Sequence, residues 1–418
     1  NVAVGKDALK ANTTANNNTA VGFDALGDNS TGSENTSIGA EALQKSTTAD
    51  SNTAVGFRAL EETTTGSSNT AVGRDSLEAN TTGGSNTAMG RDALSSNTTA
   101  NNNTAFGFGA LLSNTTGDQG TAVGAYTLQA NTTGPRNTAV GYVSMDANTT
   151  GQDNAAFGHN ALGSNTTGNS NTALGLNALA NNTTANNNTA VGISALVVNT
   201  TGTQNVAVGQ EAVDACTTGS QNVGVGPHAL GTMTTGGSNV GVGHAAGFEI
   251  TTGGNNICIG DEAGRNNSPS GTITTGSDTI CLGNNNINDL FCADTTISAS
   301  DARDKTDVTD FNIGLDWIKA CRPVTYRWDR RTWYGTDAEP YGTPDGSKKR
   351  NRLHVGFLAQ EMLDIEKTHG YGNSKDDSII VTNNMDEMSY GIKYERLVPI
   401  LVNAIKELSA KVTALEAG

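Results

Sequence analysis

Ser300 and Lys305 stand five residues apart in the run Ser300-Asp301-Ala302-Arg303-Asp304-Lys305, and a hydroxyl beside an amine is a minimal set for nucleophilic chemistry. A serine hydroxyl attacks only when a base takes its proton. A lysine can be that base when desolvation or a neighbouring cation, here Arg303, lowers its pKa. A tight turn or a first helical turn has to bring the two together, and taken alone the pair reads as a solvated loop. The five cysteines, Cys216, Cys258, Cys281, Cys292 and Cys321, form no CxxC pair. Cys258 and Cys281 occupy a slot that alanine fills elsewhere (Ala20, Ala54), so they read as small buried hydrophobes, and neither metal nor disulfide is expected. The strings Gly224-Val225-Gly226 and Gly241-Val242-Gly243 have glycine where other units have alanine. With no long helix after them they do not read as a dinucleotide site, and no cofactor is expected. Sequons such as Asn12-Thr13-Thr14 recur, and the turn chemistry of Asn-Thr-Thr-Gly accounts for them without glycosylation.

The element that carries most of these residues is a strict repeat. Asn-Thr-Ala-Val-Gly or a close variant starts at Asn1, Asn18, Asn35 and every seventeenth residue to Asn256, with Gly120 replacing the asparagine once. A period without insertions puts each unit in the same geometric place as the last, the signature of a solenoid. The Thr/Val-rich segment suits a short strand of about 5 residues, Gly22 and its equivalents a corner with positive φ, and Asn-Thr-Thr-Gly a second turn. At the strand spacing of about 4.8 Å, sixteen coils make a rod of roughly 77 Å. Two columns, Val21-Ile38-Val55 and Leu26-Leu43-Leu60 with their equivalents, are expected to point inward, with the Asn-Thr-Thr-Gly turns outward. One unit buries too little to offset its ordering entropy, so neighbouring coils and neighbouring chains are expected to complete the core. After the sixteenth unit the pattern returns only at Thr279 to Gly283, which places an inserted loop near 266–276.

Composition divides the chain. Residues 1–299 hold 8 Lys+Arg against 22 Asp+Glu and no Trp; residues 300–418 hold 17 against 19 and Trp317, Trp328 and Trp333. An acidic rod disfavours nucleic acid and anionic membranes as partners. No apolar run approaches the ~20 residues of a membrane span, so no membrane insertion is expected. The chain starts inside a repeat without Met, so it is expected to be a fragment or a processed product. The domains read as a repeat rod over 1–264, a transition over 265–299, and a different module over 300–418.

Beyond the Ser300 run, that module carries Phe311-Asn312-Ile313-Gly314-Leu315-Asp316-Trp317, Arg322-Pro323-Val324-Thr325-Tyr326-Arg327-Trp328, His354-Val355-Gly356-Phe357-Leu358-Ala359-Gln360-Glu361 and Tyr394-Glu395-Arg396-Leu397-Val398-Pro399. In this order the runs resemble the endosialidase-type intramolecular chaperone found at the C-terminus of phage tail spikes and tail fibres. The resemblance implies trimerisation followed by self-cleavage, with Ser300 as nucleophile, Lys305 as base and Ala299–Ser300 as the broken bond. Asp301, Arg303, His354, Gln360 and Glu361 are then candidates for support. Lys348-Lys349-Arg350-Asn351-Arg352 reads as a solvated loop, and 335–346 as an exposed insertion. The rod is similar to the repeat heads of trimeric bacterial adhesins.

Val398, Leu401, Ile405, Leu408, Val412 and Leu415 alternate at three and four, a heptad seam on a C-terminal helix over 395–416. β-Branched residues alternating with Leu lean toward two strands, while the resemblance implies three, and the expectation follows the resemblance. The fold class expected is a mainly β, trimeric parallel β-solenoid or β-roll, then a small α+β chaperone domain ending in a coiled-coil helix. The function expected is that of a virion tail fibre or spike: a homotrimer, structural or recognising a host cell-surface receptor such as a glycan, with a self-cleaving serine endopeptidase in its chaperone. The alternatives are a cell-surface adhesin with the same chaperone, a cap that trimerises without cutting, and a depolymerase spike whose sugar-cleaving domain lies upstream. No acidic pair in the rod supports a glycosidase.

Overall fold

A computed structural model describes residues 1–287, 308–334, 342–374, 377–383 and 390–418. It comprises two units, Asn1–Asn284 and Asn285–Gly418. The first is a parallel β-solenoid of seventeen three-residue strands, from β1 (Val2–Val4) and β2 (Thr19–Val21) through β16 (Ile257–Ile259) to β17 (Ile280–Leu282). Each strand pairs in register with the next, as in Val2↔Thr19 and Val4↔Val21, and the last pair, Ile257↔Ile280, keeps the register across a longer coil. The extra residues of that coil lie between Gly264 and Ile273, where Ile273 N–H donates back to the Gly264 carbonyl at 2.9 Å. Stacking resumes at once, with Thr251 N–H on the Thr274 carbonyl at 2.8 Å.

The corner glycine follows from two facts. Gly73 has φ +138°, a region L side chains rarely adopt, and a Cβ there would sit 2.5 Å from the Gly90 carbonyl oxygen of the next coil. Four residues past the corner the backbone is left-handed again, in most coils at leucine: Leu26 has φ 51° and Leu43 φ 49°. That conformation costs about 1–2 kcal/mol, and complete burial of the leucine, about 1.5–3 kcal/mol, offsets it.

Two asparagine ladders hold the coils together. The Asn35 backbone N–H donates to Asn18 Oδ1 at 2.8 Å, while Asn35 Nδ2 donates to the Ala49 carbonyl at 2.8 Å. In the other ladder Asn114 Nδ2 reaches Asn97 Oδ1 at 3.0 Å and Asn131 Nδ2 reaches Asn114 Oδ1 at 2.9 Å. The side chains of Asn97, Asn114 and Asn131 are buried. The Asn-Thr-Thr-Gly turn therefore does not face out as a whole. Its Asn and Gly slots are inside and only its threonines reach the surface.

The valine column also differs from expectation. In each strand from β2 to β17 the middle residue is buried and its two neighbours point outward, so Ala54 is buried while Val55 is half-exposed and Ile38 is 42% exposed. A strand this short offers only one inward position, and the leucine packed across it leaves room for a small side chain. At Gly224 even a Cβ would come 2.5 Å from Val213 Cγ2. The interior is thus Ala, Leu and Asn rather than Val and Leu. It forms one cluster from Ala20 to Cys281 inside a single chain, so the coil core does not await neighbouring chains. The strands are also shorter than the 5 residues expected.

The second unit is small and mixed. Helix α1 (Leu315–Ala320) is followed by the antiparallel pair β18 (Val324–Tyr326) and β19 (His354–Gly356), then α2 (Ala359–Thr368), the antiparallel pair β20 (Val381–Asn383) and β21 (Tyr390–Ile392), and α3 (Leu397–Ala417). Trp317, Met362, Ile380, Val381, Leu397 and Ile400 form its core. Pro399 lies in the first turn of α3, where its missing N–H is tolerated.

Candidate functional site

Ala299, Ser300, Asp301, Arg303 and Lys305 lie outside the described residues. The other three candidates are placed by β19 and α2. His354 opens β19 and faces Tyr326 of β18 across the antiparallel pair. The two rings stack with centroids 5.5 Å apart and planes at 20°, and Trp328 meets Tyr326 edge-on at 5.2 Å. The Arg330 guanidinium lies 4.4 Å over Trp328. Burial, and then the nearby Arg350 charge, hold Arg330 below its usual range.

The glycine after Val355 is required by its neighbour. Tyr394 Oη accepts the Phe357 backbone N–H at 3.1 Å, and a Cβ on Gly356 would run into that same oxygen. Gln360 is exposed in the first turn of α2. Glu361, beside it, pairs with Arg322: Nε donates to Oε2 at 3.1 Å and Nη2 donates to Oε1. His354 is thus placed in a ring cluster and Glu361 in an exposed ion pair.

A residue that sequence reasoning passed over anchors this unit. Glu366 of α2 is fully buried and accepts three hydrogen bonds, from the backbone N–H groups of Ile380 (2.5 Å) and Val381 (2.8 Å) and from Ser378 Oγ (2.6 Å). It ties α2 to the start of β20. Its spacing of four from Met362, also buried, was the available signal: an acid on the apolar face of a helix needs fixed donors.

α3 has two apolar faces. Leu397, Ile400 and Ala404 are buried against their own unit, where Asn403 Nδ2 donates to the Phe311 carbonyl at 2.6 Å. Val398, Leu401, Ile405, Leu408, Val412 and Leu415 are all exposed, Leu415 to 82%. On the rod, Phe108, Tyr126, Tyr142 and His159 form a run of ring contacts across successive coils, with centroids 5.0, 6.3 and 5.6 Å apart. Three of these four fill the slot after the corner glycine, the sequence signal for this run. No helix among the described residues is long and apolar enough to cross a membrane.

Residues 300–371 match the family model described as chaperone of endosialidase. The match leaves the rod and α3 outside it. No curated protein matches the chain. An endosialidase-type chaperone segment after a β-solenoid fits a tail-fibre-like protein, and the family is found in phage tail proteins.

Proposed function

We propose that this chain is part of a homotrimeric tail fibre or spike carried on the virion, in which residues 300–418 trimerise, set the register of the rods and then cut themselves off at Ala299–Ser300. The observation that carries this reading is the seam of α3: six apolar residues at heptad spacing, all exposed, on a helix whose other face is packed from Leu397 to Ala404. An apolar face of that length and spacing is satisfied by parallel copies of the same helix. Three is the number that the chaperone family matched at 300–371 implies, and it supports the trimer.

The rod explains the need. Its coils are nearly identical, so chains meeting at random could pair in many registers differing by one coil and almost equal in energy. A trimer formed at one end removes that degeneracy, and cleavage afterwards makes the assembly kinetically stable. In the cleavage, Ser300 Oγ bonds to the Ala299 carbonyl carbon while the Lys305 amine takes the hydroxyl proton. The C–N bond then breaks, the proton passes to the freed Ser300 nitrogen, and an ester remains. Water hydrolyses that ester to an Ala299 carboxylate and a free Ser300 hydroxyl. Asp301, Arg303, His354, Gln360 and Glu361 support the site, and the rod presents the surface for a host receptor, glycans being one class.

The test is a denaturing gel with intact mass on the wild-type chain, Ser300→Ala and Lys305→Ala. Ser300→Ala stays whole, and Lys305→Ala cuts more slowly by about 10²–10⁴-fold. Both still trimerise. Cutting by Ser300→Ala at the wild-type rate would remove the serine from the mechanism.

A further inference from the structure

The outward face of the solenoid sheet changes along its length. In strands β2 to β12, the last of them Thr189–Val191, the first outward residue is threonine in all but one, the exception being Ala155. From β13 (Val206–Val208) and β14 (Val223–Val225) onward it is apolar. β15 presents Val240 and Val242, β16 Ile257 and Ile259, and β17 Ile280 and Leu282, so that five consecutive coils carry apolar side chains at both outward positions. The two end strands are the most open, Ile280 to 68% on β17 and Val4 to 57% on β1. No charge interrupts these positions, although the rod as a whole is acidic.

We infer that this sheet face is the seam on which a second copy of the chain seats, and that β13–β17 is the stretch where the seam closes first. The inference rests on the trimer reading above and names its surface. Three arguments select another copy as the occupant. The single outward apolar column continues from β13 back to β1 without a break, and a partner in contact along it must repeat at the same pitch, as a parallel copy does. With most of them exposed to about a third or less, the outward side chains leave on the order of 40 Å² each, so the seam offers on the order of 800 Å² per chain, the share one partner buries in a specific interface. The most apolar part lies next in sequence to the unit that carries the α3 heptads, where assembly begins.

The experiment uses the full chain with Ser300→Ala to keep it whole. Val225→Cys on the seam is compared with Thr235→Cys on the exposed turn of the same coil under mild oxidant, with cross-links located by peptide mass. The expected result is an inter-chain disulfide through position 225 and at least a tenfold lower yield through position 235. In parallel, Val206, Val223, Val240, Ile257 and Ile280 are all changed to threonine, the residue upstream coils use in that slot, so the coil itself is preserved. That variant keeps its circular dichroism but dissociates at a concentration at least tenfold above that of the unsubstituted chain. A wild-type chain that is monomeric by light scattering overturns both this inference and the trimer reading. A trimer in which position 225 cross-links no better than position 235, or in which the threonine variant dissociates unchanged, leaves the trimer standing and places its seam elsewhere.

Discussion

The side-chain oxygen of Asn154 accepts the backbone N–H of Asn171, one coil on, at 2.9 Å. The same bond joins Asn137 to Asn154 at 3.0 Å and Asn86 to Asn103 at 3.0 Å, so the ladder is a chain of identical links. It has one missing rung. At Gly120 there is no side chain to receive the Asn137 N–H or to donate to the Gly134 carbonyl.

Gly120→Asn is therefore expected to stabilise the rod. The backbone φ there is not in the left-handed region, and the nearest atom to an added Cβ is Asn103 Oδ1 at 3.0 Å, the end of a side chain that can shift. Two restored hydrogen bonds and a stiffer unfolded chain together contribute about 1–3 kcal/mol. Asn148→Ala removes one of the two acceptors of Asn165 Nδ2 and the donor to Asn131 Oδ1 and the Gly151 carbonyl, and should lose a similar amount. Denaturant titration of both variants checks the pair of signs.

A corner glycine should tolerate nothing else. Gly73→Ala meets both a left-handed φ and the Gly90 carbonyl, so a loss above about 2 kcal/mol is expected, where the same change at an ordinary strand glycine costs less. Thermal melting followed by circular dichroism reads it.

Alkali should weaken the rod through its thiols. Burial pushes Cys216 up to about 11 and Cys258 up to about 12, from an ordinary 9.0. An unfolded thiol ionises near that ordinary value while the folded one does not. The stabilisation is therefore complete below pH 9.0 and lost as pH rises toward 11 and 12. A Cys216→Asn, Cys258→Ala chain, using the residues other coils place there, should lose less stability over that window. Equal pH slopes for the variant and the parent would contradict the assignment.

Glu366→Gln should loosen the second unit selectively. An amide keeps one acceptor oxygen for the Ile380 and Val381 N–H groups but loses the charge that strengthens those bonds, and it turns the Ser378 proton away from Oε2 to the Val381 carbonyl, at a cost of about 1–2 kcal/mol. Faster hydrogen exchange at Ile380 and Val381, with the solenoid amides unchanged, is the expected signature.

The repeat made the solenoid legible because a strict period is itself a geometric statement. The Leu26–Leu43–Leu60 column and the alanine-like slots of Cys258 and Cys281 followed directly. The direction of Val21 did not. In a three-residue strand either the middle residue or its flanks can face in, and the choice turns on the volume left by the leucine opposite, which composition does not reveal. Left-handed leucines were equally hidden, since leucine rarely adopts that backbone. In the second unit the α3 seam was visible as spacing, whereas Glu366 needed its donors, which come from residues 378–381, to be recognised as an anchor. Sequence alone speaks for Ser300 and Lys305, through the resemblance of the runs around them.

The most direct test of the proposed function couples assembly to cleavage. Leu408 lies in the α3 seam, 52% exposed and outside the core of its own unit, so Leu408→Asp should spare the fold and block the trimer. Light scattering and intact mass are measured on the wild-type and Leu408→Asp chains from the same expression. The wild type should be a trimer cut into pieces of 299 and 119 residues, and Leu408→Asp a monomer that stays whole. A wild type that remains an intact, well-folded trimer would contradict self-cleavage and leave residues 300–418 as a trimerisation cap; a Leu408→Asp monomer that still cuts would contradict the coupling.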